Sequence, residues 1–414
     1  MPPAEGQDPA VHHPFAAFRV RDYRLYIGYG FLSALMQQVQ ALALGWDIYE
    51  RTGSALALGW MGLVQFAPVV LLFLPAGQIA DRYDRRYIVV ISLILWSAAS
   101  LGLALVSNAG AGVGWIYVCA TATGAAMMLN RPARDALLTQ IVPARLLANA
   151  VAWNTSVFQI ASISGPALAG LLIALTGSAT GVYAINFGCA LAALALAACI
   201  GRYPPTHVQP ARSWGELFAG LSHVWRERTI LGVLTLDLMV VLFGGATALL
   251  PIYAKDILQV GPAGLGWLAS APAIGAVAMA ATQGYRPPLE RSGRVFFLAI
   301  SCFGAATVVF GLSTWFWVSF AALMALGAAD NISVVIRHTV VQLHTPDALR
   351  GRVSAVNRVF ISSSNELGAF ESGAVAALTS PAFAVVSGGV ATILFVVAGL
   401  RWFPELRHLG RLGK

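Results

Sequence analysis

Gly77-Gln78-Ile79-Ala80-Asp81-Arg82-Tyr83-Asp84-Arg85-Arg86 is the stretch on which this chain's reading turns. Three arginines and two aspartates crowd into a turn, and an apolar run abuts it on each side, 55–78 and 87–107. A helix needs about 20 mostly apolar residues to cross a bilayer, and both runs have that length. The decapeptide is therefore a charged turn at a membrane surface, with one span arriving and the next departing.

The same reading extends in both directions. Apolar runs recur at 25–49, 113–133, 151–175, 180–200, 229–253, 264–284, 294–312, 315–337, 353–378 and 382–401, which brings the expected spans to twelve. Composition agrees: of 414 residues, 58% are hydrophobic and 11% charged, whereas a soluble domain carries roughly 25% charged residues. Two or three soluble domains are thereby excluded. The 26 Lys and Arg residues are too scattered for a basic groove, so no nucleic-acid partner is expected. Cys119, Cys189, Cys199 and Cys302 all sit in apolar runs without a CxxC pair, and are read as buried spectators rather than metal ligands or a disulfide framework. The polar first 24 residues hold no short apolar segment with a cleavage site. The first span is expected to act as its own uncleaved insertion signal.

Positive charge orders the loops. Both tails and alternate loops hold 23 of the 26 basic residues, the opposite loops hold Arg51 and Lys255, and Arg358 falls inside a span. Basic loops stay cytoplasmic, so both termini are expected inside. The expected organisation is a cytoplasmic tail 1–24, a six-helix bundle 25–200, a linker 201–228, a second six-helix bundle 229–403 and a tail 404–414. Trp214 to Arg226 of the linker is expected to lie on the membrane surface.

The two bundles repeat one another. At an offset of 203, Arg134 matches Arg337, Asn154 matches Asn357, Gly165 matches Gly368 and Gly170 matches Gly373. Tyr49 pairs with Tyr253, Gly59-Trp60 with Gly266-Trp267 and Gly77 with Gly284. Several matches in order imply duplication, and two facing bundles leave a central cavity near the midplane.

The decapeptide resembles the cytoplasmic signature of the major facilitator superfamily: Gly, three residues, Asp-Arg, two residues, a basic pair. With twelve spans and a repeat, the resemblance covers nearly the whole chain. It implies an all-α membrane protein of twelve transmembrane helices in two pseudo-symmetric bundles. It also implies a cytoplasmic gate built on Gly77, Asp81, Arg82, Arg85 and Arg86, with Arg134 as the partner of Asp81. The matching loop of the second half, Gly284 to Arg294, lacks the Asp-Arg pair. Ser164-Gly165-Pro166-Ala167-Leu168-Ala169-Gly170 is similar to the antiporter motif of the drug-efflux branch, with Gly165, Pro166 and Gly170 kept and alanines at 161 and 169. Close packing by small residues is the rival account of that motif. Span four departs from the drug/proton antiporters in having no arginine in its interior. Asn130 to Arg134 and Leu349 to Asn357 are most similar to the subgroup of enterobactin exporters and macrolide-type efflux proteins.

Ionisable groups inside spans are expensive and become candidate sites. Ser33, Gln37, Gln40 and Asp47 share one face of span one and are read as cavity lining, Asp47 equally as a solvated cap. Span five offers Thr155, Gln159 and Ser162. Span eleven places Ser354, Arg358, Ser362, Asn365 and Glu366 on one face, with Glu371 about 140° away. Span ten adds Asp330 and Asn331, and span seven adds Asp237. The repeat mates of Asp330, Glu366 and Glu371 are the neutral Met127, Ile163 and Leu168. Asp330, Glu366 and Asp237 are the candidate proton carriers or substrate ligands, and Arg358 a candidate anion ligand or partner. A buried network gluing spans seven, ten and eleven is the competing account.

No GxxxxGK[ST] loop, metal-ligand cluster or activated nucleophile occurs, so neither ATP drive nor enzymatic activity is expected, and no cofactor or metal. The expectation is a monomeric, multi-pass protein of the bacterial inner membrane. It exports a siderophore or drug-like molecule by alternating access, coupled to protons; an importer or uniporter on the same fold is the alternative.

Overall fold

A computed structural model describes residues 13–204, 214–284, 291–407 and 410, apart from the side chains of a few helical residues, Asp81 and Arg358 among them. The first half comprises α1 (Arg21–Thr52), α2 (Ala55–Arg82), α3 (Arg85–Asn108), α4 (Val113–Ile141), α5 (Leu147–Thr176) and α6 (Ala179–Ala198). A further helix, α7 (Trp214–Arg226), precedes the second half. That half comprises α8 (Arg228–Phe243), the short α9 (Leu250–Ile252), α10 (Gly261–Gly284), α11 (Ser292–Leu312), α12 (Phe316–Leu343), α13 (Arg350–Leu378) and α14 (Pro381–Trp402), closed by α15 (Pro404–Arg407).

Among the described residues, ten helices are long and apolar enough to cross a membrane. The other two expected spans, α1 and α13, have the length, at 32 and 29 residues, but carry the polar stripes noted above. The turns are built as the sequence reads. Gly53 takes a left-handed conformation (φ 59°) to end α1, and Ser54 accepts from the Ala57 amide to start α2. At the far side of α2, the second aspartate of the charged turn, Asp84, caps α3 by accepting from the Arg86 amide.

The seventh span departs from a continuous 229–253 helix. It breaks after Phe243 into a 3-10 turn (Gly245–Leu249), α9 and a π turn (Tyr253–Ile257). Glycine at 245 lets the broken segment close on α13, because a Cβ there would lie 2.7 Å from the Gly368 carbonyl oxygen. Ala246 and Leu249 of the turn are buried and Thr247 and Ala248 line a cavity, a setting in which non-helical backbone is tolerated at membrane depth.

The core shows how the halves meet. Toward the end opposite the termini, one hydrophobic cluster runs through both halves and joins Leu42, Leu58 and Ile173 to Leu250, Leu265 and Ala376. Toward the termini the core divides. Tyr23, Val89, Leu137 and Ala197 cluster within the first half, and Val224, Leu234, Val341 and Val356 within the second. That shared core is the seal between the halves; nearer the termini each half also has a core of its own.

Candidate functional site between the halves

Two helix crossings make the seal, and they are mates in the internal repeat. On one side α2 packs on α13, with Gly59 against Gly373. On the other α10 packs on α5, with Gly266 against Gly170. A Cβ on Gly59 would lie 3.1 Å from the Phe370 carbonyl oxygen, and one on Gly266 would lie 2.6 Å from that of Pro166. Only small residues let two helix backbones approach so closely. The Ser270 hydroxyl donates to the Ile163 carbonyl (2.6 Å) across the second crossing. Above both crossings the Tyr49 hydroxyl donates to Asp256, joining α1 to the π turn. Lys255 Nζ stands 5.8 Å from the Tyr49 ring centroid and 6.0 Å from that of Trp46. Trp46, Tyr49 and Tyr253 are all buried and so form no exposed interfacial belt; Trp46 and Tyr49 belong to this junction.

Directly beneath the seal lies a cavity of about 250 Å³ walled by α1, α2, α5, the broken seventh span, α10 and α13. Its wall is apolar, with Leu42, Leu58, Met61, Leu250 and Leu265, and is interrupted by Gln38, Gln65, Thr247 and Glu366. Among the described residues Glu366 is the ionisable one on that wall, near the middle of α13. Arg131 of α4 is the charge that acts on it. The Gln38 amide donates to Ser162 Oγ (2.9 Å), at the point where Gly165 lets α5 close on α1. Pro166 lines the cavity, and Gly170 belongs to the seal.

The structure sorts the other expected residues. Ser33, Gln40 and Asp47 are buried inside the first half, not on the cavity wall. Gln40 accepts from Trp96 (2.9 Å) and Asn186 (2.8 Å) and donates to Thr123 (2.9 Å). Asp47 is neither a cavity ligand nor a solvated cap: it pairs with Arg51 (2.6 Å) and accepts from Tyr183. The cause is angular. The stripe 33-37-40-44-47 centres roughly 130° away from the cavity face formed by Gln38, Ala41, Leu42 and Gly45, at 100° per residue. Gln37 and Gln159 are half-buried and off the wall. Thr155 is exposed and donates to its own helix.

Asp237 forms a buried ion pair with Arg337 between α8 and α12, the arrangement of the competing, gluing account. Asp330 and Asn331 lie on α12 and away from the cavity; Asp330 has no hydrogen-bond or ion-pair partner among the described residues, and the Asn331 side-chain oxygen is buried without one. Glu371 accepts weakly from its neighbour Ser372 (3.4 Å), Asn365 is exposed and bonded to the Ile361 carbonyl, and Ser362 is half-buried.

In the charged turn, Arg86 donates to the Ala198 carbonyl, tying α3 to α6, and Arg82 is exposed. The Arg85 Nε is buried without a partner. Gly77 lies in α2. The side chains of Asp81 and Arg358, and so their expected roles, lie outside the described residues. Arg134 sits over the rings of Tyr26 (5.8 Å) and Tyr29 (6.0 Å) and donates to Asn154 (2.6 Å).

The residues that sequence reasoning missed are Gln38, Gln65, Thr247 and Asp256. Gln65 carried a usable signal, as the lone amide in the apolar first half of α2. Thr247 and Asp256 carried none, because the breaks in the seventh span set where they point.

The major facilitator superfamily model matches residues 27–369. The chain belongs to this superfamily. It is a multi-pass membrane transporter of small molecules, in a family of transporters rather than enzymes. It is 24% identical over 385 residues to the enterobactin exporter EntS of Escherichia coli (strain K12), covering 91% of each chain. It is 27% identical over 344 residues to the multidrug efflux pump Tap of Mycobacterium bovis (strain BCG / Pasteur 1173P2), covering 78% of this chain and 80% of that one. Among solved structures, a mutant of the peptide transporter POT superposes with a TM-score of 0.76 at 12% identity, covering 94% of this chain and 96% of the other. The last similarity fixes the fold.

Proposed function

We propose that this superfamily transporter exports a small organic molecule by alternating access, in exchange for protons, and that Glu366 is the coupling carboxyl. The positive-inside rule puts the termini in the cytoplasm of a bacterial inner membrane, with twelve crossings and two six-helix domains. In this reading the end that carries the seal faces outward, and the cavity opens toward the cytoplasm. Export follows from the names of the relatives, an exporter and an efflux pump.

The observation that carries the reading is the position of Glu366. It lies on the cavity wall, and its backbone carbonyl is where a Cβ on Gly62 would come within 2.6 Å. The carboxyl therefore sits on the helix that must part from α2 for the outer side to open. A proton or a bound molecule at Glu366 acts on the crossing that changes. Asp330, on α12, is the secondary candidate. Asp237 is a structural ion pair.

The test is proton release from proteoliposomes with an acidic lumen while candidate compounds are added outside. Release with one compound class, lost in Glu366→Gln and kept in Asp330→Asn, is the expected result. Unchanged release in Glu366→Gln removes that residue from coupling. Compound exchange without any proton movement makes the protein a uniporter.

A further inference from the structure

The cavity's chemistry bears on a question the relatives leave open, since enterobactin exporters and multidrug pumps handle different molecules. Polyanionic metal chelators need cationic or dense donor groups. Drug-like amines need a carboxylate in an apolar setting. Of these, the wall beneath the seal offers Glu366, two amides, a threonine hydroxyl and otherwise aliphatic or thioether surface. No cationic side chain is among the residues described as lining it. Arg131 acts on Glu366 but stands off the wall, on α4. The amide donors are partly spent, because Gln38 donates to Ser162. An anion entering this space would lose its hydration and face a carboxylate; a cation would replace water with that carboxylate at contact range.

We propose that the cavity selects small organic cations with an apolar body over anionic chelators, and that Glu366 is the residue that selects them. This rests on the cavity being the transport site. Gln65 and Thr247 then serve as hydrogen-bonding neighbours that orient a polar head. Leu42, Leu58 and Met61 take the apolar body. The cavity is smaller than the roughly 300–1,000 Å³ common for ligand pockets, which favours compact molecules.

The probes are phenyltrimethylammonium, its carbon isostere tert-butylbenzene, and the anion 2,3-dihydroxybenzoate, each measured by equilibrium binding to the purified full-length protein. The first two share size and shape and differ in one charge. The ammonium should bind about thirty-fold more tightly than the isostere, the scale of one desolvated charge pair, and the benzoate should not compete. Glu366→Gln should erase the difference between ammonium and isostere, and Glu366→Asp should keep most of it. Gln65→Lys, which places a cation on the same wall, should abolish ammonium binding in a protein that still elutes as a single species.

Equal binding of ammonium and isostere to the wild type overturns the proposal, as does tighter binding of the benzoate. Ammonium binding indifferent to Glu366→Gln overturns the assigned residue. Flux in proteoliposomes separates this from the transport reading. Selective ammonium binding without flux sinks the transport role of the cavity and leaves its selectivity standing. Flux of the benzoate without ammonium binding does the reverse.

Discussion

Arg134 and Arg337 occupy matching positions in the two halves, yet each is held in a different way. In the first half, no acid pairs with the guanidinium among the described residues, which leave out the side chain of Asp81. Arg134 lies over two tyrosine rings and donates to Asn154, with Gly30 leaving it room. In the second half Arg337 pairs with Asp237, and Asn357, the mate of Asn154, keeps a buried oxygen without a partner. The offset of the Tyr49 and Tyr253 pair places Ser33 opposite Asp237, and the Ser33 hydroxyl is likewise unpartnered. One inherited scaffold thus accepts two solutions for a buried cation: ring faces and an amide, or a full countercharge. The second solution ties up Asp237, whose repeat mate is Ser33, so an acid in a span is not by itself a transport residue.

The largest expected effect separates those two solutions. Asp237→Ala leaves Arg337 buried without a countercharge and should cost about 3–5 kcal/mol. It is read as a lowered thermal midpoint in detergent, and Asp237→Ala combined with Arg337→Met should recover most of the loss. A midpoint unchanged in Asp237→Ala would end the contrast between the halves.

The seal offers the next comparison. Gly266→Val should disrupt it more than Gly59→Val, because its Cβ would come closer to a facing carbonyl; overpacking of this kind costs about 1–3 kcal/mol. In a background without the native cysteines, faster maleimide labelling of Gln65→Cys from the outer side measures the opening. Equal labelling in both variants would make the crossings equivalent despite their geometry.

Asn154→Ala removes a hydrogen bond to a charged group and should cost about 1.5–3 kcal/mol, less than Asp237→Ala. The same thermal midpoint reads it, and a larger loss than in Asp237→Ala would invert the comparison. The smallest effect concerns the matched tyrosines. Tyr49 bonds across the halves, and Tyr253 bonds the Gly311 carbonyl within its own half (3.0 Å). Tyr49→Phe should raise outer-side labelling of Gln65→Cys about five-fold, for a bond worth about 1 kcal/mol. Tyr253→Phe should lower the thermal midpoint and leave labelling unchanged.

The repeat is where sequence and structure met most closely. Gly59, Gly266, Gly170 and Gly373 stood out as matched pairs, and all four lie where the halves touch. Polar stripes were less informative. Ser33, Gln40 and Asp47 share a helical face as read, but a polar face serves the interior of a six-helix bundle as well as a cavity. One amide in each of two helices, Gln38 and Gln65, reaches the wall instead.

By itself the sequence determined the span-length apolar runs, the bias of basic residues to alternate loops, the internal duplication and the family. All are properties of local composition and spacing, and apolar length and loop charge act on each segment alone. Tertiary structure decided which polar groups face the cavity and which acid is already paired. Helix rotation and the breaks of the seventh span settle both, and these depend on contacts between residues as distant as Asp237 and Arg337, or Gly62 and Glu366.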